Sequence, residues 1–75
     1  MDYRIAAHWD PDARVWWAES TDVKGLVAEA DTLDALIEDL RLTVPDLLQI
    51  NHGVDPSAES ITLRIAADRT EALTA

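Results

Sequence analysis

The chain has 75 residues, with 15 acidic and six basic side chains, a net charge of −9 and no cysteine. A chain of this length holds one small domain, and the absence of cysteine excludes disulfides, thiolate metal sites and a thiol nucleophile. So acidic a surface repels phosphate backbones and anionic lipid, which argues against nucleic acid or membrane as partners of the chain alone. A basic protein partner would be drawn in instead, although charge alone favours the plainer reading of an acidic proteome that keeps its proteins in solution.

The N-terminal "MDYRIAAHWD" alternates polar and apolar residues and is not a signal peptide. No apolar run approaches the length of a bilayer span. A cytoplasmic location is therefore expected. Residues 3–9 place Tyr3, Ile5, Ala7 and Trp9 against Arg4, Ala6 and His8, the period of a half-buried strand. Asp10 and Pro11 in "DPDA" predict a tight turn. Residues 14–20, "RVWWAES", are β-branched and aromatic enough to return as the second strand of a hairpin. Trp16 and Trp17 are adjacent, so one ring enters the core and the other stands on the opposite face.

"TDVKG" at 21–25 reads as a loop in which Gly25 supplies a positive φ. A third short strand is predicted over 26–30. Asp31 or Thr32 then caps a helix over about 32–50, and Asp34 adds favourable negative charge to its first turn. Leu33, Leu36, Ile37, Leu40, Val44, Leu47 and Leu48 form one apolar stripe, with Asp34, Glu38, Arg41 and Gln49 away from it. Pro45 falls inside the stripe without changing its phase, so the helix is expected to bend there and not to break. Gly53 in "NHG" supplies the C-terminal cap. Residues 60–68 alternate Ile61, Leu63, Ile65 and Ala67 as a fourth strand, and residues 69–75 are a tail.

The order β-β-β-α-β predicts an α+β fold. A right-handed crossover lays strand 4 parallel to strand 1, giving a mixed four-stranded sheet of order 3-2-1-4 with one helix on one face. The opposite face and both edges stay open, which favours a homodimer or higher homo-oligomer, or another protein partner.

Little in this framework points to chemistry. His8 and His52 lack the spacing of a metal pair or a nucleophile-activating dyad, and they read as a strand-surface residue and a helix-terminal residue favoured by the dipole. Ser20, Ser57 and Ser60 have no base pattern nearby, and there is no glycine-rich phosphate loop. No cofactor or metal is expected. One arrangement requires weighing: Asp10 and Asp68 end adjacent parallel strands, and Glu38 lies early in the helix. Three converging carboxylates there would hold a divalent cation, as in metal-dependent nucleases. Against it, strand 1 carries no acid at its centre, and acids make up 15 of the 75 residues. The tryptophans fit core and interface roles better than base stacking, because lysine and arginine are scarce around them.

The run "HWDPDARVWWAESTDVKGLVAEADTLDALIEDL" resembles the antitoxin domain of the HicB-like family, in particular its short relatives. The matching residues are Trp17-Ala18, Val23-Lys24-Gly25-Leu26 and Ala30-Asp31-Thr32-Leu33-Asp34-Ala35-Leu36, with Lys24 standing where proline is common. The resemblance implies a partial ribonuclease H-like fold without catalysis. It also implies a protein that binds a small basic RNA-cleaving toxin, occludes its active site, and assembles as a dimer or tetramer. Full-length members carry a C-terminal DNA-binding segment, which residues 69–75 do not supply. On exposed aromatic character and acid density, Trp16, Glu19, Asp22 and Glu29 are the expected partner-facing residues. Two other readings stand beside this one: a homo-oligomeric structural or ligand-sensing domain, and the nuclease of Asp10, Glu38 and Asp68.

Overall fold

The structure, a computed structural model, describes residues 1–74. Its elements are β1 (Asp2–Asp10), β2 (Val15–Glu19), β3 (Ala28–Ala30), α1 (Leu33–His52) and β4 (Thr62–Asp68). They form one sheet of order β3-β2-β1-β4, with β1 antiparallel to β2, β2 antiparallel to β3, and β1 parallel to β4. This is the α+β arrangement expected from the element order.

The core lies between the sheet and α1. Tyr3, Ile5 and Ala7 of β1, Trp16 and Ala18 of β2 and Ala28 of β3 face Leu36, Leu40, Val44 and Leu48 of the helix, and Val23 and Val54 close its rim. The helical residues recur every four positions, so they form one narrow stripe that covers one side of a sheet and no more. The helix runs unbroken through Pro45, and the stripe keeps its phase across the missing amide. Among the described residues no element forms a second layer on the open face.

Both helix ends are capped as the sequence suggests. Thr32, and not Asp31, is the N-cap: its Oγ1 accepts from the Ala35 amide at 3.1 Å. Gly53 takes φ 67°, and the amides of Gly53 and Val54 both reach the Leu48 carbonyl. The neighbouring Asn51 and His52 do something the sequence did not suggest. Asn51 Nδ2 donates to the Lys24 carbonyl at 2.8 Å, and His52 Nε2 accepts from the Lys24 amide at 2.9 Å. The helix C-terminus thus clamps the β2–β3 turn, with His52 as an acceptor for a loop amide.

The strand limits differ from expectation for local reasons. β2 begins at Val15 because Arg14 adopts φ 57°, outside strand geometry. In that hairpin loop, Asp10 Oδ1 accepts from the Asp12 and Ala13 amides while the Asp10 carbonyl accepts from Arg14. Beyond Glu19, side chains take over the ladder. Ser20 Oγ donates to the Arg4 carbonyl, and Asp22 Oδ2 accepts from the Arg4 amide at 2.8 Å. β3 shrinks to three residues because the Leu26 amide turns back to the Val23 carbonyl, leaving Val27 exposed. β4 starts at Thr62, whose amide donates to the Met1 carbonyl at 2.9 Å.

The positive-φ positions make stability measurable at single residues. Arg14→Gly relieves a left-handed residue and should raise the unfolding free energy by about 0.5–1 kcal/mol, after glycine's own entropic penalty is subtracted. A higher urea midpoint at constant slope is the readout. Gly25 has φ 85°, and an added Cβ would sit 3.0 Å from Asn51 Nδ2, whereas nothing lies within 4 Å of one at Gly53. Gly25→Ala should therefore lose more than the roughly 1–2 kcal/mol of backbone strain that Gly53→Ala loses; equal losses in urea unfolding would show that the clamp is slack.

Candidate partner-binding face

Strand alternation decides which side chains meet solvent on the uncovered side. From β1 these are Asp2, Arg4, Ala6, His8 and Asp10; from β2, Val15, Trp17 and Glu19; from β3, Glu29; and from β4, Thr62, Arg64, Ala66 and Asp68. The register joins His8 to Trp17, Trp17 to Glu29, Ala6 to Glu19, and His8 to Asp68.

At the centre of this face, the His8 and Trp17 rings lie 4.6 Å apart at 38°. His8 Nε2 is 3.2 Å from Glu19 Oε1. The imidazole thus contacts both an aromatic ring and a carboxylate. Glu29 stands across from Trp17, and Asp10 and Asp68 lie toward the C-terminal ends of β1 and β4. The result is an aromatic centre flanked by carboxylates, with Arg4 and Arg64 toward one end of the same face.

Of the four residues expected to face a partner, Glu19 and Glu29 lie on this surface. Asp22 borders it, half-buried, with its carboxylate bonded to the Arg4 amide. Trp16 does not belong to it. Trp16 is 8% exposed and Trp17 37% exposed, so the two rings exchange the roles expected of them. The reason is register: Trp16 pairs with Trp9, which sits on the same side as Tyr3, Ile5 and Ala7. The Trp9 and Trp16 rings pack at 5.7 Å, and the Arg69 guanidinium lies 4.1 Å above Trp9. These two tryptophans and the start of the tail finish the core edge.

Asp10, Glu38 and Asp68 are not brought together. Asp10 and Asp68 belong to the open face, and Glu38 projects from the helix on the other side, 3.7 Å from Arg41. Asp10 is also occupied by two turn amides. Among the described residues no group of three histidine or acidic side chains is placed to hold a metal ion.

Ser20 Oγ is bonded to the Arg4 carbonyl and the Asp22 and Val23 amides, not to His8. Among the described residues no polar or charged side chain is buried. Asp55, at the head of the α1–β4 loop, has a carboxyl held below the usual range by the Ser57 hydroxyl and amide, which organises that turn. No helix among the described residues is long and apolar enough to cross a membrane.

Comparison with known proteins places the whole architecture in a family. The family described as "Domain of unknown function (DUF1902)" matches residues 2–75. The crystal structure of a hypothetical protein from the extremely thermophilic bacterium Thermus thermophilus is similar, with 36% sequence identity and a TM-score of 0.71 over 99% of each chain. No curated protein matches.

The assignment of the two tryptophan faces can be tested directly. Trp16→Ala should lose about 3–5 kcal/mol, enough to unfold most of a domain this small. Trp17→Ala should change stability by less than about 1 kcal/mol, as for surface positions generally. Thermal and urea unfolding of the pair supplies the comparison.

Proposed function

The chain belongs to the DUF1902 family, and from that premise we propose that it is a non-enzymatic protein-binding module that neutralises a small basic RNA-cleaving toxin by covering its active site. The observation that carries this reading is the uncovered sheet face, where Trp17 stands exposed between Glu19 and Glu29. An aromatic anchor surrounded by carboxylates suits a partner whose own site is basic enough to hold RNA. The net charge of −9 draws such a partner in and repels its substrate. The HicB-like pattern of "VKGLVAEADTLDAL" supports the same reading.

In this account His8 and Glu19 preset the Trp17 rotamer, which lowers the ordering cost of binding. Glu29 supplies charge beside the anchor. Asp22 acts indirectly, by holding the edge of β1 through the Arg4 amide.

A second reading, a homo-oligomeric structural or ligand-sensing domain, is favoured by one feature. β4 is a seven-residue edge strand whose inward residues Leu63 and Ile65 are only half-buried, because the helix lies over the β2–β3 side. An edge of this kind pairs readily with another strand, and self-association there leaves the open face free.

Co-expression with the adjacent reading frame separates the two. A short basic chain from that frame should copurify with this protein and be rendered harmless to growth by it. Trp17→Ala and Glu29→Lys should each weaken the complex by at least about 2 kcal/mol, as interface anchors do, without altering the fold. An adjacent product that neither binds nor is neutralised rules the toxin reading out.

A further inference from the structure

Arg4 and Arg64 face each other directly in the parallel register of β1 and β4, on the open side of the sheet. Like charges placed side by side on a sheet repel, and these are two of only six basic residues in a chain of net charge −9. Arg64 is partly neutralised, its Nε donating to Asp2 Oδ2 at 2.9 Å. The Arg4 guanidinium has no ion-pair partner among the described residues. Its backbone, by contrast, is fixed at both amide and carbonyl by Asp22 and Ser20.

The two arginines border a groove of about 610 Å³. The next outward pair in the register is Ala6 and Ala66, whose small side chains leave the hollow. Glu19 and Thr21 line its wall. A concavity of this volume, with an apolar floor and a few polar groups at one end, has the form of a small-molecule site.

We propose that this groove binds a small amphipathic carboxylate, its head between Arg4 and Arg64 and its apolar body across Ala6 and Ala66. Two guanidinium forks match a planar carboxylate and gain most from one that neutralises both. Glu19 and Asp2 nearby disfavour a second negative charge, so the site selects a monoanion over a phosphate dianion. The shallow alanine floor admits an unbranched or flat apolar body. The site shares Glu19 and the open face with the proposed partner surface, but its ligand chemistry does not depend on a toxin partner, and it gives a role to the one cationic cluster among the described residues of that face.

Octanoate titrated into the isotopically labelled full chain is the test. Saturable amide shifts should appear at residues 4–6, 19–21 and 64–66. Octanol, octylammonium and inorganic phosphate should each bind at least about tenfold more weakly, the loss expected when a charge-assisted hydrogen bond is removed. Arg4→Gln and Arg64→Gln should each weaken octanoate by a similar factor, with thermal unfolding unchanged, and Arg4→Lys should recover part of the loss at Arg4. Octanol or phosphate binding as well as octanoate, shifts centred on the helix, or full affinity in Arg4→Gln would each overturn the proposal.

Discussion

One constraint shapes the molecule: a single helix presents a single apolar stripe, and a four-stranded sheet has two sides. Leu36, Leu40, Val44 and Leu48 are fully buried against Ile5 and Trp16 and their neighbours. Every fully buried large side chain belongs to that one layer contact or to Val23 at its rim. The hydrophobic effect scales with area removed from water, so stability is concentrated on one side of the sheet. The other side is released from core packing and holds exposed aromatic, acidic and basic groups.

The polar residues divide in the same way, though less visibly. Several that look available are structural. Ser20 and Asp22 continue the β1 ladder past the end of β2, Asp10 ties the hairpin loop, and Asn51 and His52 hold Lys24. Each supplies a donor or acceptor where backbone pairing stops, which buried or half-buried amides require. The open-face groups without such a backbone tie include Trp17, Glu19 and Glu29, with Arg4 and Arg64 toward one end and Asp68 toward the other.

Much of this was legible in the sequence. Four-residue periodicity located α1, and the β-β-β-α-β order with a right-handed crossover is sufficient to give the sheet order. The tryptophan faces were legible too, but by parity and not by composition. A hairpin with an even-numbered loop pairs odd residues with even ones, so Trp16 must oppose an odd-numbered residue of β1, on the side of Tyr3, Ile5 and Ala7. Acid and aromatic density alone points to Trp16, and it fails because it ignores that arithmetic. What no local pattern contains is the clamp of Asn51 and His52 on Lys24, a contact across 27 and 28 residues. The facing of Arg4 and Arg64 is likewise set by the crossover register, which the sequence leaves free by a step of two.

The separation of faces has a consequence for how this fold changes. A substitution at Ile5 or Leu40 acts on the core, and in a 75-residue domain the margin above unfolding is only about 5 kcal/mol. A substitution at Trp17, Glu29 or Arg64 leaves that layer untouched and alters only what the open face attracts. One scaffold can therefore carry different partners or ligands while keeping the same four strands and helix. The 36% identity shared with the thermophile protein, over 99% of both chains, is compatible with such freedom. The open face is the part of the molecule that folding constrains least, and for that reason composition and periodicity, which report the core, describe the fold far better than the function.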